Sequence, residues 1–504
     1  MPIVSSKLAV TAQIPSQGIF QGIDRRSIQS ASNPSSLYDA VNCSLDTGGG
    51  LERRDALVEF AQLPPNTHGL YALGGTLRVA VPAGHGYQAA MPPGVDADVF
   101  GDSSALPTPV DKYVRLSAVE SWGADAGLGA FPYLVLETSA GQFVHHWIVS
   151  TPILPTSPAL TRIDLGFDPG PSIIKIQRKF YAPDAIKGTV PFSSTQFGPG
   201  TWRESDAPGD AGFLNVIEHA LSDPRIKGVT LHQGRLLVVF ANSMQIWNVS
   251  PDPANISMNS VLNGPGTNQF GSLSPVIGDV FYFSEGGFRS LSTQTVTGEL
   301  REGDLGAAIR AITAEFANAD PQTVKSLWSQ ARSQYICAFN TSGTSTVFCF
   351  TLSPALQIAG WTRWTLPIGI DYITELDGVL YLRYQDMVYK MDPAIQNDTV
   401  DGVEQAIDAY FDTQFIDGGE PRWLKHWTML DIMGDSTVDI DVFLDQKNRA
   451  LKESVAVDLE GTTYDEGMIP VDVTQHAVAF RVRFKAPGSV ERINTDAIVL
   501  VGSG

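Results

Sequence analysis

Short runs of alternating apolar and polar residues, each led by a glycine turn, recur along this chain. Four share one form, a turn, a strand, a polar break and often a second strand. They are Gly74–Val81, Gly234–Phe240 with Gln245–Trp247, Gly278–Phe283 with Phe288–Leu291, and Gly378–Leu382 with Met387–Met391. A less regular copy starts at Ser333, with Gln334–Phe339 and Val347–Phe350. Alternation with period two predicts strands. Gly234 and Gly278 stand 44 residues apart, and Ser333 and Gly378 stand 45 apart. A four-stranded propeller blade takes roughly 40–50 residues. The pattern therefore predicts a mainly β chain built on a β-propeller, in which each hairpin face is buried against the next blade. Independent hairpins in a sandwich are the alternative.

Helical periodicity is scarce. One helix is expected over Asp304–Ala319, where Ala307, Ala308, Ile309, Ala311, Ile312 and Phe316 form an apolar face and Asp320-Pro321 ends the run. A shorter one is expected over Gly212–Leu221. Residues 83–128, rich in Gly, Pro, Ala and Asp, and residues 183–212 look like loop insertions between blades, suited to clasping a neighbouring subunit. Asp and Gly cluster near Asn397–Val403 and mark a boundary. Alternating strands beyond it, at Val438–Leu444, Ser454–Val457, Val478–Phe484 and Ala497–Val501, predict a C-terminal β-sandwich. The expected division is residues 1–60 as an extended N-terminal docking arm, 61–396 as the propeller and 397–504 as the sandwich.

With 504 residues the chain is long enough for two or three domains. It has no apolar run near the roughly 18–20 residues that span a bilayer. Its first ten residues lack a signal-peptide pattern, so folding in a cytoplasm is expected. Cys43, Cys337 and Cys349 are an odd count without metal spacing. Cys337 and Cys349 could face each other across a hairpin, but reduced core cysteines are the expectation. A net charge of −20 disfavours a phosphate-gripping DNA binder. It fits simple solubility, or an acidic ring lumen that repels phosphate and lets DNA pass.

Tests for chemistry return little. There is no His-Glu-x-x-His, Cys-x-x-Cys, phosphate loop or Gly-x-Ser-x-Gly elbow. His145 and His146 are adjacent in a strand and point to opposite faces, which suits no shared metal. Ser44–Leu51 is similar to the Asp box of sialidase propellers, but it is single and Leu51 replaces the aromatic, so an Asp-Gly turn is expected. Asp398–Gly402 has carboxylate density without the spacing of a calcium loop. No catalytic residue, cofactor or metal is assigned. The basic pairs Arg25-Arg26 and Arg53-Arg54 are the candidate docking residues, for an acidic neighbour or for DNA phosphates. Trp361 and Trp364 are candidate aromatics that close a blade edge.

The first sixty residues carry Gly18-Ile19-Phe20-Gln21-Gly22-Ile23-Asp24, Asn33-Pro34, Tyr38-Asp39-Ala40-Val41-Asn42 and Gly50-Leu51-Glu52-Arg53-Arg54-Asp55. This order resembles the start of the tail nozzle proteins of short-tailed bacteriophages, tail tubular protein B, and of the related head-to-tail DNA-stabilisation proteins. Trp361-Thr362-Arg363-Trp364 is similar to an element that closes a blade in that family. The C-terminal order Thr413, Gly418, Pro421, Lys425 before a sandwich resembles its last domain. The resemblance implies a structural virion protein, not an enzyme. It implies a homo-hexameric ring below the portal and adaptor that retains and then conducts genomic double-stranded DNA without sequence-specific binding, with tail fibre or spike proteins as possible further partners. The alternatives are a carbohydrate-active propeller, sialidase-like or a depolymerase, and a receptor-binding propeller without catalysis.

Overall fold

The computed structural model describes residues 9–16, 18–26, 34–82, 90–100, 113–122, 131–147, 160–163, 165–194, 200–202, 210–220, 223–264, 266–284, 287–293, 300–419, 421–444, 451–458 and 469–500. The chain is mainly β and is divided among many small sheets, in a propeller-like arrangement. Five N-terminal strands are β1 (Ala9–Ile14), β2 (Leu37–Val41), β3 (Cys43–Leu45), β4 (Leu51–Arg53) and β5 (Ala56–Gln62).

Seven small sheets follow in chain order, here I to VII. Sheet I holds three strands from His68 to Phe100, the last of them (Val95–Phe100) parallel to its neighbour. Sheets II, III, IV and V are four-stranded meanders starting at Tyr113, Ile174, Gly228 and Ser274. Sheet VI runs from Val324 to Leu366, and sheet VII takes three strands from Tyr372 to Asp392. The fourth strand of sheet VII is β5, antiparallel to Met387–Asp392. The first strands touch in cyclic order, and the first strand of sheet VII meets that of sheet I.

Turn chemistry explains the hairpins. Gln233-Gly234, Ile277-Gly278, Ser342-Gly343 and Asp377-Gly378 each place two successive residues at positive φ. That is the twist a two-residue hairpin needs, and glycine takes it without a Cβ clash. Packing explains the near-continuous apolar strands. In Gln334–Thr341 of sheet VI, Tyr335, Cys337 and Phe339 join Phe281, Phe283 and Phe288 of sheet V, whereas Ile336 and Ala338 join Leu380 and Leu382 of sheet VII. Both faces of such a strand are buried. Similar clusters lie between sheets VII and I (Val388 with Leu77 and Val79) and between I and II (Phe100 with Leu116 and Leu134).

Several expectations change. Residues 83–128 are not simply a loop insertion, since Val95–Phe100 and Tyr113–Trp122 are strands of sheets I and II. Residues 183–212 contain Thr189–Phe192 and lead into Gly212–Asn215 of sheet III. The Gly and Pro around these strands hid their alternation. The other residues of the two stretches lie in part outside the described ones. Gly212–Leu221 is a strand and a 3-10 turn, not a helix. Over Asp304–Ala319 only Arg310–Thr313 is α-helical, followed by a 3-10 turn. The apolar face there is real: Ile309 and Phe316 are buried, with Leu305, Ala308 and Ile312 packed beside them. Cys337 opposes Phe348 and Cys349 opposes Ile336, so the two thiols lie on opposite faces; all three cysteines are buried and free.

The N-terminal segment is not an extended arm. Strand β2 pairs parallel with Ile358–Leu366, the outer strand of sheet VI, and antiparallel with Ala409–Thr413. Sheet VI thereby continues through β2 into the C-terminal strands as one nine-stranded sheet. Strands β1 and β4 both pair with the last strand, Ser489–Val499, in a second sheet. These two C-terminal sheets share a core that includes Trp427, Ile432, Ile440, Phe480, Val482 and Ile493. The segment makes one hairpin of its own, β3 with β4, whereas β1 and β2 find their backbone partners only in strands synthesised far later.

Candidate functional site

The conspicuous residues of the first sixty converge on this junction. Asn42 lies just after β2 at φ 53°. Its side chain donates to Asp408 O (2.9 Å) and accepts from Thr365 N (2.8 Å) and Arg54 Nε (3.0 Å). One amide thus ties sheet VI, the C-terminal strands and the Arg-Arg pair.

Arg54 is buried, its side chain 1% exposed. Its two terminal nitrogens donate to the two carboxylate oxygens of Asp398, at 2.9 and 2.5 Å. Asp398 Oδ1 also accepts from Leu57 N (2.8 Å), which fixes the start of β5. Bidentate geometry and a third donor are what a buried ion pair requires. Asp398 therefore neutralises Arg54 and is not free for calcium, and Asp401-Gly402 is a turn. Arg53 donates to the carbonyls of Gln396 (2.5 Å) and Ile395 (2.9 Å). Burial, then the neighbouring Arg54 charge, weakens its hold on its proton.

Arg25 lies 3.9 Å over the Tyr38 ring and donates to Asp39 Oδ2 at 2.9 Å. Arg363 holds the same Asp39, at 2.7 Å. Arg26 differs: its side chain is 60% exposed and pairs with Asp24, whose carboxyl it holds below the usual range. So Arg25, Arg53 and Arg54 are engaged inside the chain, which corrects the reading of them as docking residues. Arg26 alone of the four reaches well into solvent.

Both tryptophans are buried in the outer strand of sheet VI. Trp361 Nε1 donates to Leu305 O (2.8 Å), and its ring lies 4.5 Å from that of Phe288. Trp364 Nε1 donates to Cys43 O (3.0 Å), on the other face of the strand. Neither offers a face for stacking a sugar. Gly22 lies at φ 72°, where a Cβ would come within 2.5 Å of Trp361 N. This contact lets Ile23 N donate to Trp361 O at 2.8 Å.

Glu52, on β4, carries the clearest electrostatic strain. Burial, then the charge of Asp55, pushes its carboxyl up to about 7, while Arg332 opposes the shift. The Ser44–Leu51 stretch is a turn in which Asp46 Oδ1 accepts from Gly50 N at 2.8 Å. His145 contacts Tyr133 and Trp202, whereas His146 contacts Phe100 and Tyr113. Burial lowers both imidazoles to about 3, so both stay neutral. Among the described residues no group of three His, Cys, Asp or Glu could hold a metal, and no helix is long and apolar enough to cross a membrane.

No family model and no curated protein matches the chain. Solved structures share distant likeness only. A candidate 6-phosphogluconolactonase from Bacteroides uniformis is 15% identical, with a TM-score of 0.35, over 55% of this chain and 81% of its own. A second, from Bacteroides fragilis, is 12% identical, with a TM-score of 0.33, over 66% of this chain and 82% of its own. The AfRom2 CNH domain is 8% identical, with a TM-score of 0.30, over 77% of this chain and 95% of its own. None is near enough to assign an activity.

Sequence reasoning missed Asp39, Asn42, Arg363 and Asp398 as the polar centre of the junction. Asp39 and Asn42 lie in a quoted motif and Arg363 between the two tryptophans, so the signal was present as position, not as chemistry.

Proposed function

We propose that the protein is a structural virion subunit of the tail nozzle or head-to-tail closure type. In this reading the seven sheets are the blades of a β-propeller closed by β5, and the paired C-terminal sheets are a β-sandwich. Subunits form a ring, six-fold by resemblance, below the portal and adaptor. The ring retains packaged DNA and then conducts it, and the protein catalyses no reaction.

One observation carries the reading. The stretch that resembles the nozzle family, from Gly18 to Asp55, is the stretch that joins sheet VI to the C-terminal strands. A subunit under internal pressure needs its parts locked together, and hydrogen-bonded strands with buried ion pairs supply that stiffness. The net charge of −20 supports passage of DNA without adhesion. The mechanism is mechanical and needs no cofactor.

The test is negative-stain electron microscopy of the purified protein, alone and with its portal–adaptor complex. Six-fold rings, or a new layer of density below the adaptor, are expected. Particles that stay monomeric and ignore the complex would overturn the proposal and turn attention to glycan binding or hydrolysis.

A further inference from the structure

Where the first strands of sheets II to VII approach one another they leave a cavity of about 260 Å³. At about 30 Å³ per water this is room for a small metabolite. Its wall is drawn from six sheets or the turns before them, through residues such as Ser117, Ser172, Thr230, Gly271, Lys325 and Tyr372. Among the described residues Lys325 is the one on that wall with a formal charge.

Among the described residues none forms an ion pair with Lys325. Its ammonium donates to Gln322 O (2.9 Å) and lies 5.9 Å from the Tyr372 ring centre. The carboxylates that influence it are Asp371, Glu137 and Asp320. Each is engaged elsewhere: Glu137 pairs with Arg115, Asp371 accepts from Gln385 N (2.7 Å), and Asp320 accepts from Gln322 N (3.0 Å). Elsewhere in the chain the partly buried Arg363 and Arg481, like Arg54, each hold an aspartate. A partly buried cation with no acid paired to it is stabilised when an anion completes it. Burial and the Arg115 charge lower the amine to about 8, so most of it is still charged at pH 7. Beside it Tyr372 Oη accepts from Leu116 N (2.9 Å), which leaves the hydroxyl proton to donate.

We propose that this axial cavity binds a small oxyanion, borne by a phosphate or a carboxylate, with Lys325 as its counterion and the Tyr372 hydroxyl as a second donor. The site is independent of the virion role.

The full-length protein is titrated calorimetrically at pH 7 with inorganic phosphate and, separately, with citrate; the two arms distinguish the sources. One site is expected for at least one anion. Lys325→Met weakens that binding roughly tenfold or more, and Tyr372→Phe weakens it a few-fold. In parallel, wild-type protein is treated with an amine-acylating reagent and digested for mass spectrometry. Acylation of Lys325 slows several-fold when the anion is present. If Lys325→Met fails to fold, this protection decides the matter alone. Equal affinity in a folded Lys325→Met variant, no binding of either anion into the tens of millimolar, or unprotected Lys325 would each overturn the site.

Discussion

Arg25-Arg26 and Arg53-Arg54 are the same dipeptide in two settings. Arg53 and Arg54 enter the junction, where every charged nitrogen of Arg54 meets an oxygen of Asp398, Asn42, Asp55 or Thr365. Arg25 is half inside, shared with Tyr38 and Asp39, and Arg26 stands in solvent beside Asp24. A guanidinium near a surface costs little to hold, so Arg25-Arg26 leaves one member exposed, paired only with its neighbour Asp24. Within the junction the same group requires a complete set of acceptors, and the surrounding backbone is committed to supplying them.

The comparison breaks most sharply at Arg54. Arg54→Met leaves Asp398 buried without its counterion and is expected to destabilise the fold by about 3–5 kcal/mol. Urea denaturation measures it. Adding Asp398→Leu should recover a large part of the loss, since the double variant carries no uncompensated charge.

Glu52 comes next, one residue before the same pair. Its carboxyl is raised from an ordinary 4.5 to about 7, so the folded state binds its proton more tightly than the unfolded state. The stability it contributes is fully present below about pH 4.5. It declines as pH rises toward 7, by up to about 3 kcal/mol. Denaturation midpoints across pH 4 to 8 should carry that slope, and Glu52→Gln should flatten it.

Gly22→Ala probes the other end of the segment. The new Cβ would strike the Trp361 backbone at a positive φ, for an expected loss of about 1–3 kcal/mol. Thermal unfolding reads this directly. The smallest effect belongs to Arg26→Ala, expected to change stability by less than about 0.5 kcal/mol. Under the proposed function the same change weakens attachment to an acidic neighbour, measurable by co-sedimentation with the portal–adaptor complex.

How far the sequence could be read follows from where the information lies. Gly234, Gly278 and Gly378 mark their hairpins because two-residue turns have strict local chemistry. Val438–Leu444 and Val478–Phe484 are visible as strands for a similar reason, since alternation is local. Sheet III was obscured because its strands are only three or four residues long and set among Gly and Pro, and Val95–Phe100 of sheet I because it runs parallel to its neighbour, which no hairpin rule anticipates. The role of Arg54 could not be read locally at all. Its partner Asp398 is 344 residues away, and a dipeptide carries no sign of which acid it will meet.

The pairing of β5 with sheet VII sets an order of events during synthesis. Gln62 leaves the ribosome 324 residues before Asp386, to which it bonds. At roughly 5–20 residues per second that interval is on the order of 15–65 s. Throughout it β5 waits without its partner strand while sheets I to VI form. Strand β2 waits for Ala409–Thr413 on one side, and β1 waits longest, for Ser489–Val499, whereas β3 and β4 have each other from the start. Strands β1 and β5 thus settle only after the sheets that follow them in the chain. A ribosome stalled before about residue 390 would carry a nascent chain in which β5 still lacks the strand it pairs with.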